Sequence, residues 1–381
     1  MQLRIEKLVS QGFGLALSSE GKQVLVSEVL PGELVDVAVQ REHASYIRAA
    51  ATTIIESNTR RIAAPCPYWG SCGGCDFQYA GQGYQAELKE AIVVDTLRRI
   101  GGAEPGSYTL EEQVRSEGWG YRSRARFFVD LHQKRVGFLG RGSNALVEIA
   151  RCPVLVDPLN ALLSDPQRLL AAARRQMFAN KISKSGLVEV PAFADNERAV
   201  LLDEEIVTTV GGKTFALNST VFFQSNLLLL PSLGAYVKSL TIGDRVMDLY
   251  SGVGTFAAFV QKPNRSVTAV ERHKLCLAFA RRNAPEADFY TMAAETWAVG
   301  QHGRVDTVIV DPPRTGLDVS LPPLIASWQP QRIVYVSCDE TSLARDIRRF
   351  AQQGYHLRSV RLFDLYPQTF HTESVALLVK A

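Results

Sequence analysis

The sequence contains no apolar run of 18 or more residues, so it offers no candidate for a membrane-spanning helix. Its first residues, MQLRIEKLVSQGFG, lack the charged-then-apolar layout of a secretory signal peptide. Internal repeats and low-complexity tracts are absent as well, which argues against a solenoid or a disordered linker. These absences predict a soluble, cytoplasmic protein without a membrane partner.

Charge of one sign is also scarce, since 42 basic and 39 acidic residues leave a net charge of only +3. The net charge therefore does not indicate a polyanionic partner. A hydrophobic content of 46% with 21% charged residues is typical of a globular chain. At about 100–200 residues per domain, this length predicts two or three domains. No feature indicates an oligomer, so a monomer is the default expectation.

Cysteine is the first informative residue type, because three of the six cysteines fall within ten positions. Cys66, Cys72 and Cys75 form a C-x5-C-x2-C segment, and Cys152 follows far downstream. In a reducing compartment such a cluster favours a metal site over disulfides. Four thiolates suit a tetrahedral zinc ion or a [4Fe–4S] cluster. The three-plus-one spacing is more typical of the cluster than of zinc, which usually binds two C-x2-C pairs.

The N-terminal half divides into two predicted units. Residues 1–56 read as short strands separated by Gly-containing turns, which predicts a small OB-like β-barrel, either an RNA-binding platform or a structural module. Residues 57–215 carry the cysteines, a helix over 84–100 that could pack on the following domain, strands within 119–150 and a helix over 158–180. We expect this unit to be an α+β domain.

Residues 216–381 alternate apolar β-runs with helical stretches, which predicts a parallel, Rossmann-like α/β sheet. The strand that ends at Asp248 leads into a turn with Gly252 and Gly254, and Glu271 ends the next strand. Two glycines let the backbone approach a ligand, and the second-strand acid can accept both hydroxyls of a ribose. The third glycine of a dinucleotide fingerprint is missing, so S-adenosylmethionine is favoured over a nicotinamide cofactor. Asp311, at a later strand end, is expected in the same crevice.

Cys338 closes another strand, at the rim of this crevice. Methylation of uracil C5 requires a soft nucleophile that adds to C6 and pushes charge toward C5 and O4, which is a task for a thiolate. The reaction also needs a base to remove the C5 proton. Glu373 and His371 are both candidates, and Glu373 is preferred because an acid leading directly into an apolar strand is unusual.

Five ordered segments together resemble the RNA uracil-5-methyltransferase family. They are Phe223–Asn226, Asp248–Gly254, Asp311–Gly316, Ser337–Asp339 and Asp364–Glu373. The resemblance implies Cys338 as the nucleophile and Glu373 as the proton acceptor. It further implies that S-adenosylmethionine and the target base are bound by Gln224, Tyr250, Glu271 and Asp311. Two positions depart from the family pattern: Glu340 stands where Pro is usual, and Tyr366 where Phe is usual.

The resemblance extends to the N-terminal half. The segment Cys66–Cys75 resembles the iron–sulfur segment of one branch of the family, in which Cys152 supplies the fourth ligand, so a [4Fe–4S] cluster is favoured over zinc. Residues 5–39 resemble the TRAM domain found in RNA-modifying enzymes. Among bacterial members this branch usually acts on 23S-type ribosomal RNA, which is therefore favoured over the T-loop of tRNA.

A local charge bias also points to RNA. Residues 115–151 hold eight Lys or Arg against three Asp or Glu, a balance of +5. Arg122, Arg124 and Arg126 alternate along a predicted strand next to Tyr121, Phe127 and Phe128, which suits phosphate contacts and base stacking. Two other functions stay open at this point: ribose or amino-group methylation, and a non-catalytic iron–sulfur RNA-binding protein. Neither gives Cys338 and Glu373 a role together with the cofactor crevice.

Overall fold

The computed structural model describes residues 1–178 and 186–380. The last two residues of the helix predicted over 158–180 lie outside these ranges, as does Ala381. Within the described ranges, no helix is both long and apolar enough to cross a membrane.

The N-terminal residues form a six-stranded sheet in the order β1-β5-β6-β4-β3-β2. Its strands are β1 (Gln2–Arg4), β2 (Lys7–Val9), β3 (Phe13–Leu17), β4 (Gln23–Ser27), β5 (Leu34–Glu42) and β6 (Tyr46–Glu56). All pairs are antiparallel except β4 with β6. Val35 and Val37 point into the sheet's own apolar core, as their alternation predicts, whereas Val39 is exposed. This β-rich unit therefore buries a core of its own.

The middle of the chain combines a long helix with a second sheet. Its elements are α1 (Gln82–Thr96), β7 (Thr109–Arg115), β8 (Arg124–Asp130), β9 (Arg135–Leu139), β10 (Leu146–Glu148), α2 (Asp157–Ser164), α3 (Gln167–Phe178), β11 (Val188–Ala194), β12 (Ala199–Leu201), β13 (Glu205–Val210) and β14 (Lys213–Asn218). Five of the strands form an antiparallel sheet in the order β10-β9-β8-β11-β12, while β13 and β14 form a hairpin. The apolar sides of α2 and α3 cover the five-stranded sheet.

The C-terminal part is built around an eight-stranded sheet in the order β17-β16-β15-β18-β19-β21-β20-β7. The further elements are α4 (Leu230–Leu240), β15 (Arg245–Leu249), α5 (Thr255–Val260), β16 (Ser266–Glu271), α6 (Lys274–Asn283), β17 (Asp288–Thr291), α7 (Ala294–Val299), β18 (Thr307–Val310), α8 (Leu321–Ser327), β19 (Arg332–Ser337), α9 (Glu340–Ala351), β20 (Tyr355–Asp364) and β21 (Glu373–Lys380). Strands β15 to β19 run parallel, and β21 is antiparallel to both β19 and β20.

The central strands of this sheet are largely apolar and buried because helices cover both of its faces. Helices α4, α5 and α6 contribute to the core on one face. On the other face, α7, α8 and α9 share a core with Val93 and Leu97, which lie at the end of α1 and just after it. Strand β7 pairs in parallel with β20, although the predicted division assigns residues 109–115 to the central unit. The division into 1–56, 57–215 and 216–381 itself stays a prediction.

Candidate active site

The carboxyl ends of the parallel strands bring the predicted C-terminal site residues to one edge of the sheet. Tyr250 follows β15, Asp311 follows β18 and Cys338 follows β19, which are neighbours in the sheet. Because parallel strands end at the same edge, these three positions meet there. Strand β21 runs in the opposite direction and therefore begins, with Glu373, at that same edge.

The register of β19 and β21 places the candidate nucleophile beside the candidate base. Ser337 pairs with Ser374, so the next position on each strand brings Cys338 opposite Glu373. Directly opposed residues of an antiparallel pair have Cα atoms about 4.5–5.5 Å apart. Glu373 is 2% exposed, while Cys338 is half-buried. The two reactive groups are therefore neighbours across one strand pair.

The surroundings of Cys338 favour the protonated thiol. Burial raises its pKa to about 12, with further contributions from the negative charges of Glu373 and Asp311, whereas Arg314 lowers it. Burial and the Asp311 charge also raise the pKa of Glu373 well above its usual value. Burial raises the pKa of Asp311 to about 7. The site thus brings two carboxyl groups of raised pKa and one thiol close to the guanidinium of Arg314.

His371, the alternative base, is placed less favourably. Arg314 Nη2 lies 2.8 Å from its Nε2 and 3.2 Å from its Nδ1. Burial and the Arg314 charge lower the pKa of His371 to about 3. An imidazole with so low a pKa is neutral at pH 7 but accepts a proton poorly. Glu373, with its raised pKa, is the stronger base at this edge.

A pocket of about 360 Å³ opens next to these groups. Tyr250 and Glu271 line it, together with residues of the loop after β18 such as Pro313 and Gly316. Both Glu271 oxygens accept backbone N–H groups, from Gly252 at 3.1 Å and from His273 at 2.7 Å. Since each carboxylate oxygen has a second acceptor position, the pair can still accept two hydroxyls.

Backbone geometry shapes the mouth of this pocket. Tyr250 has a φ of 65°, an uncommon conformation for a bulky side chain. Gly254 has a φ of 78°, and a Cβ on it would lie 3.2 Å from Ala280, so glycine permits the close approach of α6. Asp248 Oδ2 accepts from Ala257 N at 2.9 Å inside the first turn of α5. These contacts fix the turn that carries Tyr250.

Gln224 and Asp311 do not line this pocket. Gln224 is buried between β14 and α4, in a segment whose Asn226 Nδ2 donates to the Leu365 carbonyl at 3.2 Å, so it lies beside the loop leading to Glu373. Asp311 instead affects the pKa of both Cys338 and Glu373. Of the predicted cofactor residues, Tyr250 and Glu271 thus line the pocket, Asp311 acts on the reacting thiol, and Gln224 lies beside the loop before Glu373.

Three buried polar atoms in the described part of the crevice lack a hydrogen-bond partner: Gln224 Oε1, Asp248 Oδ1 and Ser251 Oγ. Buried polar atoms are normally paired, because an unpaired one costs about 1–3 kcal/mol. Gln224 Oε1 can only accept, whereas Ser251 Oγ and the carboxyl of Asp248, whose pKa burial raises to about 8, can accept or donate. A ligand with an ammonium group and ribose hydroxyls, as in S-adenosylmethionine, fits this set of acceptors together with Glu271.

The four cysteines predicted as metal ligands line one cavity of about 340 Å³. Cys66, Cys72, Cys75 and Cys152 are all free thiols and half-buried. Burial raises the pKa of Cys75 to about 12 and also raises the pKa of Cys72 and Cys152, so these thiols need a positive partner to ionise. Within the residues that the structure describes, no three His, Cys, Asp or Glu side chains converge closely enough for a single metal ion.

The prediction for the alternating arginines is wrong in part. Arg124, Arg126 and Phe128 share the outer face of β8, but Phe127 points into the core. Tyr121 is also fully buried, and its hydroxyl donates to the Pro367 carbonyl at 2.8 Å. Neither buried ring can stack on a base.

An exposed aromatic ring lies close to these arginines instead. Phe222 is 56% exposed, and the Arg124 guanidinium lies 5.6 Å from its ring centroid. The position of Phe222 directly before the Phe223–Asn226 motif is the sequence feature that could have identified it as a candidate. Sequence reasoning also missed Glu295 and Asp318, which line the 360 Å³ pocket. Both are single acids in loops or short helices, and no local pattern distinguishes them from surface residues.

Comparison with known proteins adds to this geometry. A family model described as tRNA (Uracil-5-)-methyltransferase matches residues 300–381. A 23S rRNA (uracil(1939)-C(5))-methyltransferase RlmD of Shewanella amazonensis is 31% identical over 98% of this chain and 94% of its own. The RlmD protein of Azoarcus sp. is also 31% identical, over 98% of each chain. An uncharacterized RNA methyltransferase of Treponema denticola is 28% identical over both full lengths.

Among solved structures, the crystal structure of Pyrococcus abyssi tRNA (uracil-54, C5)-methyltransferase in complex with S-adenosyl-L-homocysteine is similar over the whole length. Its TM-score is 0.74, with 24% identity, and the match covers 100% of both chains. This likeness confirms the predicted Rossmann-like methyltransferase fold of the C-terminal part with a β-rich N-terminal unit.

Proposed function

The chain belongs to the RNA uracil-5-methyltransferase family, and we propose that it methylates C5 of a uridine in 23S ribosomal RNA through a covalent adduct of Cys338. Two relatives above 30% identity, matched over nearly their whole length, are named for uridine 1939 of 23S rRNA, which supports the corresponding uridine here. The solved structure of the tRNA enzyme does not bear on which RNA is the substrate here, because 24% identity reflects the shared fold.

One observation carries the mechanism: the strand register sets Cys338 beside Glu373, with Asp311 at the neighbouring strand end. Bound S-adenosylmethionine supplies an electrophilic methyl group on its sulfonium. The Cys338 thiolate forms a bond to C6 of the uracil, and the ring electrons move to C5 and O4. After C5 has taken the methyl group, Glu373 accepts the C5 proton. The C6–S bond then breaks, C5=C6 re-forms, and Cys338 leaves as a thiolate.

The charges of the site suit this sequence of steps. Arg314 is the cation that lowers the pKa of Cys338, so it favours the thiolate at attack and at departure. A carboxylate held in a buried site is a stronger base than one in water, which suits the removal of a proton from carbon. The target base must leave its stack to reach the half-buried thiol of Cys338.

The binding residues are proposed from the two groups of acceptors. Glu271 accepts the ribose hydroxyls and Tyr250 packs on the cofactor within the same pocket. Gln224 and Asp311 lie toward the transferred methyl and the base. Gln224 Oε1 lacks a partner among the described residues, and a buried amide oxygen in that position accepts from a ligand N–H.

The RNA-contacting surface is proposed from groups on the outer face of β8, of which Arg126 is exposed and Arg124 is half-buried. Arg126 and Arg124 lie on the outer face of β8, and Phe222 is the exposed ring next to them. Arginines give sequence-independent phosphate contacts, while an exposed ring stacks on any base. We also propose that residues 1–56 are a TRAM-type RNA-binding barrel and that the chain acts as a cytoplasmic monomer.

The test of the reaction is methyl transfer to 23S rRNA fragments carrying 5-tritiated uridine, with tRNA as the second substrate. We expect tritium release to equal methyl gain on the rRNA fragment. Cys338→Ala should abolish both, and Glu373→Gln should accumulate a covalent RNA–protein adduct. Thr307→Val, at the start of β18 and away from the reacting groups, serves as the control. Full methylation by Cys338→Ala would refute the mechanism, and methylation of tRNA alone would refute the substrate.

For the cysteine cavity we propose a [4Fe–4S] cluster with a structural role. A tetrahedral zinc with Zn–S bonds of about 2.3 Å draws its sulfurs to roughly 3.8 Å from one another. A [4Fe–4S] cluster is larger than a single ion, and the cavity of about 340 Å³ that all four thiols line leaves room for it. Anaerobically purified protein should contain about four iron and four sulfide per chain, and Cys152→Ser should lose them. Stoichiometric zinc without iron would refute the cluster.

A further inference from the structure

The segment that leads to the proposed base spans residues 365–372, between β20 and β21. It is mostly buried, although it crosses the sheet edge where loops are usually open to solvent. A buried loop must find partners for its backbone polar groups. Its hydrogen bonds therefore show what fixes the position of Glu373.

Lys89 of α1 holds the start of this segment. Its Nζ donates to Asp364 Oδ1 at 2.6 Å and to the Tyr366 carbonyl at 3.0 Å. The side chains of Lys89 and Asp364 are both fully buried. Phe363, next to Asp364, pairs with Glu373 across the strands, so this ion pair lies one residue from the partner of the base.

Gln85 holds the middle of the same segment. Its Oε1 accepts from Gln368 N at 2.9 Å, and its Nε2 donates to Gln368 Oε1 at 3.0 Å. Gln368 has a φ of 68°, a conformation that needs outside support in a residue other than glycine. Gln85 and Lys89 are four residues apart and therefore lie on the same face of α1.

Further donors to the segment come from the same part of the chain. The Asp76 and Phe77 amides both donate to the Gln368 carbonyl, at 2.9 and 3.0 Å. Tyr121 donates to the Pro367 carbonyl at 2.8 Å. Apart from Asn226, which donates to the Leu365 carbonyl, the groups that hold the loop before Glu373 thus lie within residues 76–121, outside the strands next to Glu373.

We propose that Gln85 and Lys89 are positioning residues for proton removal from C5. They fix residues 364–368 and thereby aim the Glu373 carboxylate, without contact to the RNA or the cofactor. This inference rests on the proposed role of Glu373. It assigns to α1 a task in one step of the reaction, the proton transfer that releases the adduct.

The consequence is a selective defect. Loss of the two anchors leaves Cys338 on β19 unaffected, so addition to C6 and methyl transfer keep their rates. Only the proton transfer and the elimination that follows it slow down. A misplacement of about 1 Å can cost on the order of 100-fold in the rate of a step. The methylated adduct should therefore accumulate.

The experiment measures adduct formation and adduct breakdown separately, in single turnovers of the full chain with an rRNA fragment. Gln85→Met removes one anchor. Lys89→Met combined with Asp364→Leu removes the other without leaving an unpaired buried charge, a replacement that proteins often tolerate. We expect breakdown to slow by roughly 10- to 100-fold with formation within about twofold. Faster amide hydrogen exchange over residues 365–372 should accompany the change.

Thr307→Val is the matched control. It removes buried hydrogen bonds to Ile242 at the far end of β18 and so lowers stability without touching the segment. A purely structural role would slow formation and breakdown equally in all variants. An unchanged ratio of the two rates in Gln85→Met and in the double variant would overturn the inference alone. Absence of any Cys338-dependent adduct in the wild type would overturn the proposed function and the inference with it.

Discussion

Asp248 makes stability depend on pH in an unusual direction. It is fully buried, and burial raises the pKa of its carboxyl to about 8, with smaller contributions from Asp311 and Glu271 against the Ala257 amide that lowers it. When the pKa of a group is higher in the folded than in the unfolded protein, the group stabilises the fold fully at pH values below its unfolded pKa. This stabilisation is lost as the pH rises through the folded pKa. The free energy of unfolding should therefore fall between about pH 4 and pH 8 on account of this group.

The magnitude follows from proton linkage. With an unfolded pKa of about 3.9 and a folded pKa near 8, one carboxyl costs about 2 kcal/mol of stability between pH 6 and pH 8. The Asp248→Asn variant cannot ionise at this position and lacks this dependence. Its amide leaves a buried donor unpaired at both pH values, which lowers stability by an amount that does not vary with pH. The stability of the variant relative to wild type should thus improve by about 2 kcal/mol from pH 6 to pH 8.

Urea unfolding followed by tryptophan fluorescence measures the effect, because Trp297 and Trp328 lie in the core of the methyltransferase sheet. At a slope of about 2 kcal/mol/M the relative midpoint should move by roughly 1 M. Asp306→Asn is the matched control, since backbone N–H groups lower the pKa of Asp306 and it stays ionised over this range. A constant difference between wild type and Asp248→Asn at pH 6 and pH 8 would show that Asp248 is an ordinary ionised carboxylate.

Two further perturbations test the crevice. Between pH 6 and pH 8 Asp311 ionises, because burial raises its pKa to about 7. The ratio of the affinity for cationic S-adenosylmethionine to that for neutral S-adenosylhomocysteine, measured by calorimetry, should then rise on the order of tenfold from pH 6 to pH 8. A ratio that does not change with pH would contradict this prediction. Gly316→Ala forces a Cβ onto Arg345 Nη2 and Asp346 Oδ2 at a φ of +74°. This substitution should lower the free energy of unfolding by about 3 kcal/mol, with loss of the hydrogen bond from Leu317 N to Asp346 (2.8 Å). An unchanged thermal midpoint would contradict this prediction.

The C-terminal half was predictable because its signals are local. An apolar β-run followed by Gly252 and Gly254 requires a strand and a tight turn wherever it lies in the fold. The carboxyl ends of parallel strands share one edge, so placing Asp311 and Cys338 at strand ends already implied that they meet. Glu373 was preferred over His371 from the sequence alone, and the structure adds a physical reason, because burial and the charge of Arg314, 57 positions away, lower the pKa of His371 to about 3.

The role of the middle region was not predictable from local pattern. The arginines that alternate along β8 were expected next to rings able to stack on a base, but Tyr121 and Phe127 are buried, which depends on the elements that pack against them. Strand β7 joins the methyltransferase sheet by pairing with residues 250 positions later in the chain. The sequence of its seven residues does not indicate which strand it pairs with. Which face of such a strand is buried depends on contacts with residues that are far away in the sequence.

By itself the sequence determined the family, the fold of the methyltransferase half and the residue types able to do the chemistry, because motif spacing and hydrophobic period act over a few neighbouring residues. Only the tertiary structure decided the pairing of Cys338 with Glu373. It also decided that Gln224 and Asp311 lie apart from the pocket lined by Tyr250 and Glu271, and that Gln85 and Lys89 bind the loop before Glu373. These depend on strand register and on burial, which arise when segments far apart in the chain exclude water together.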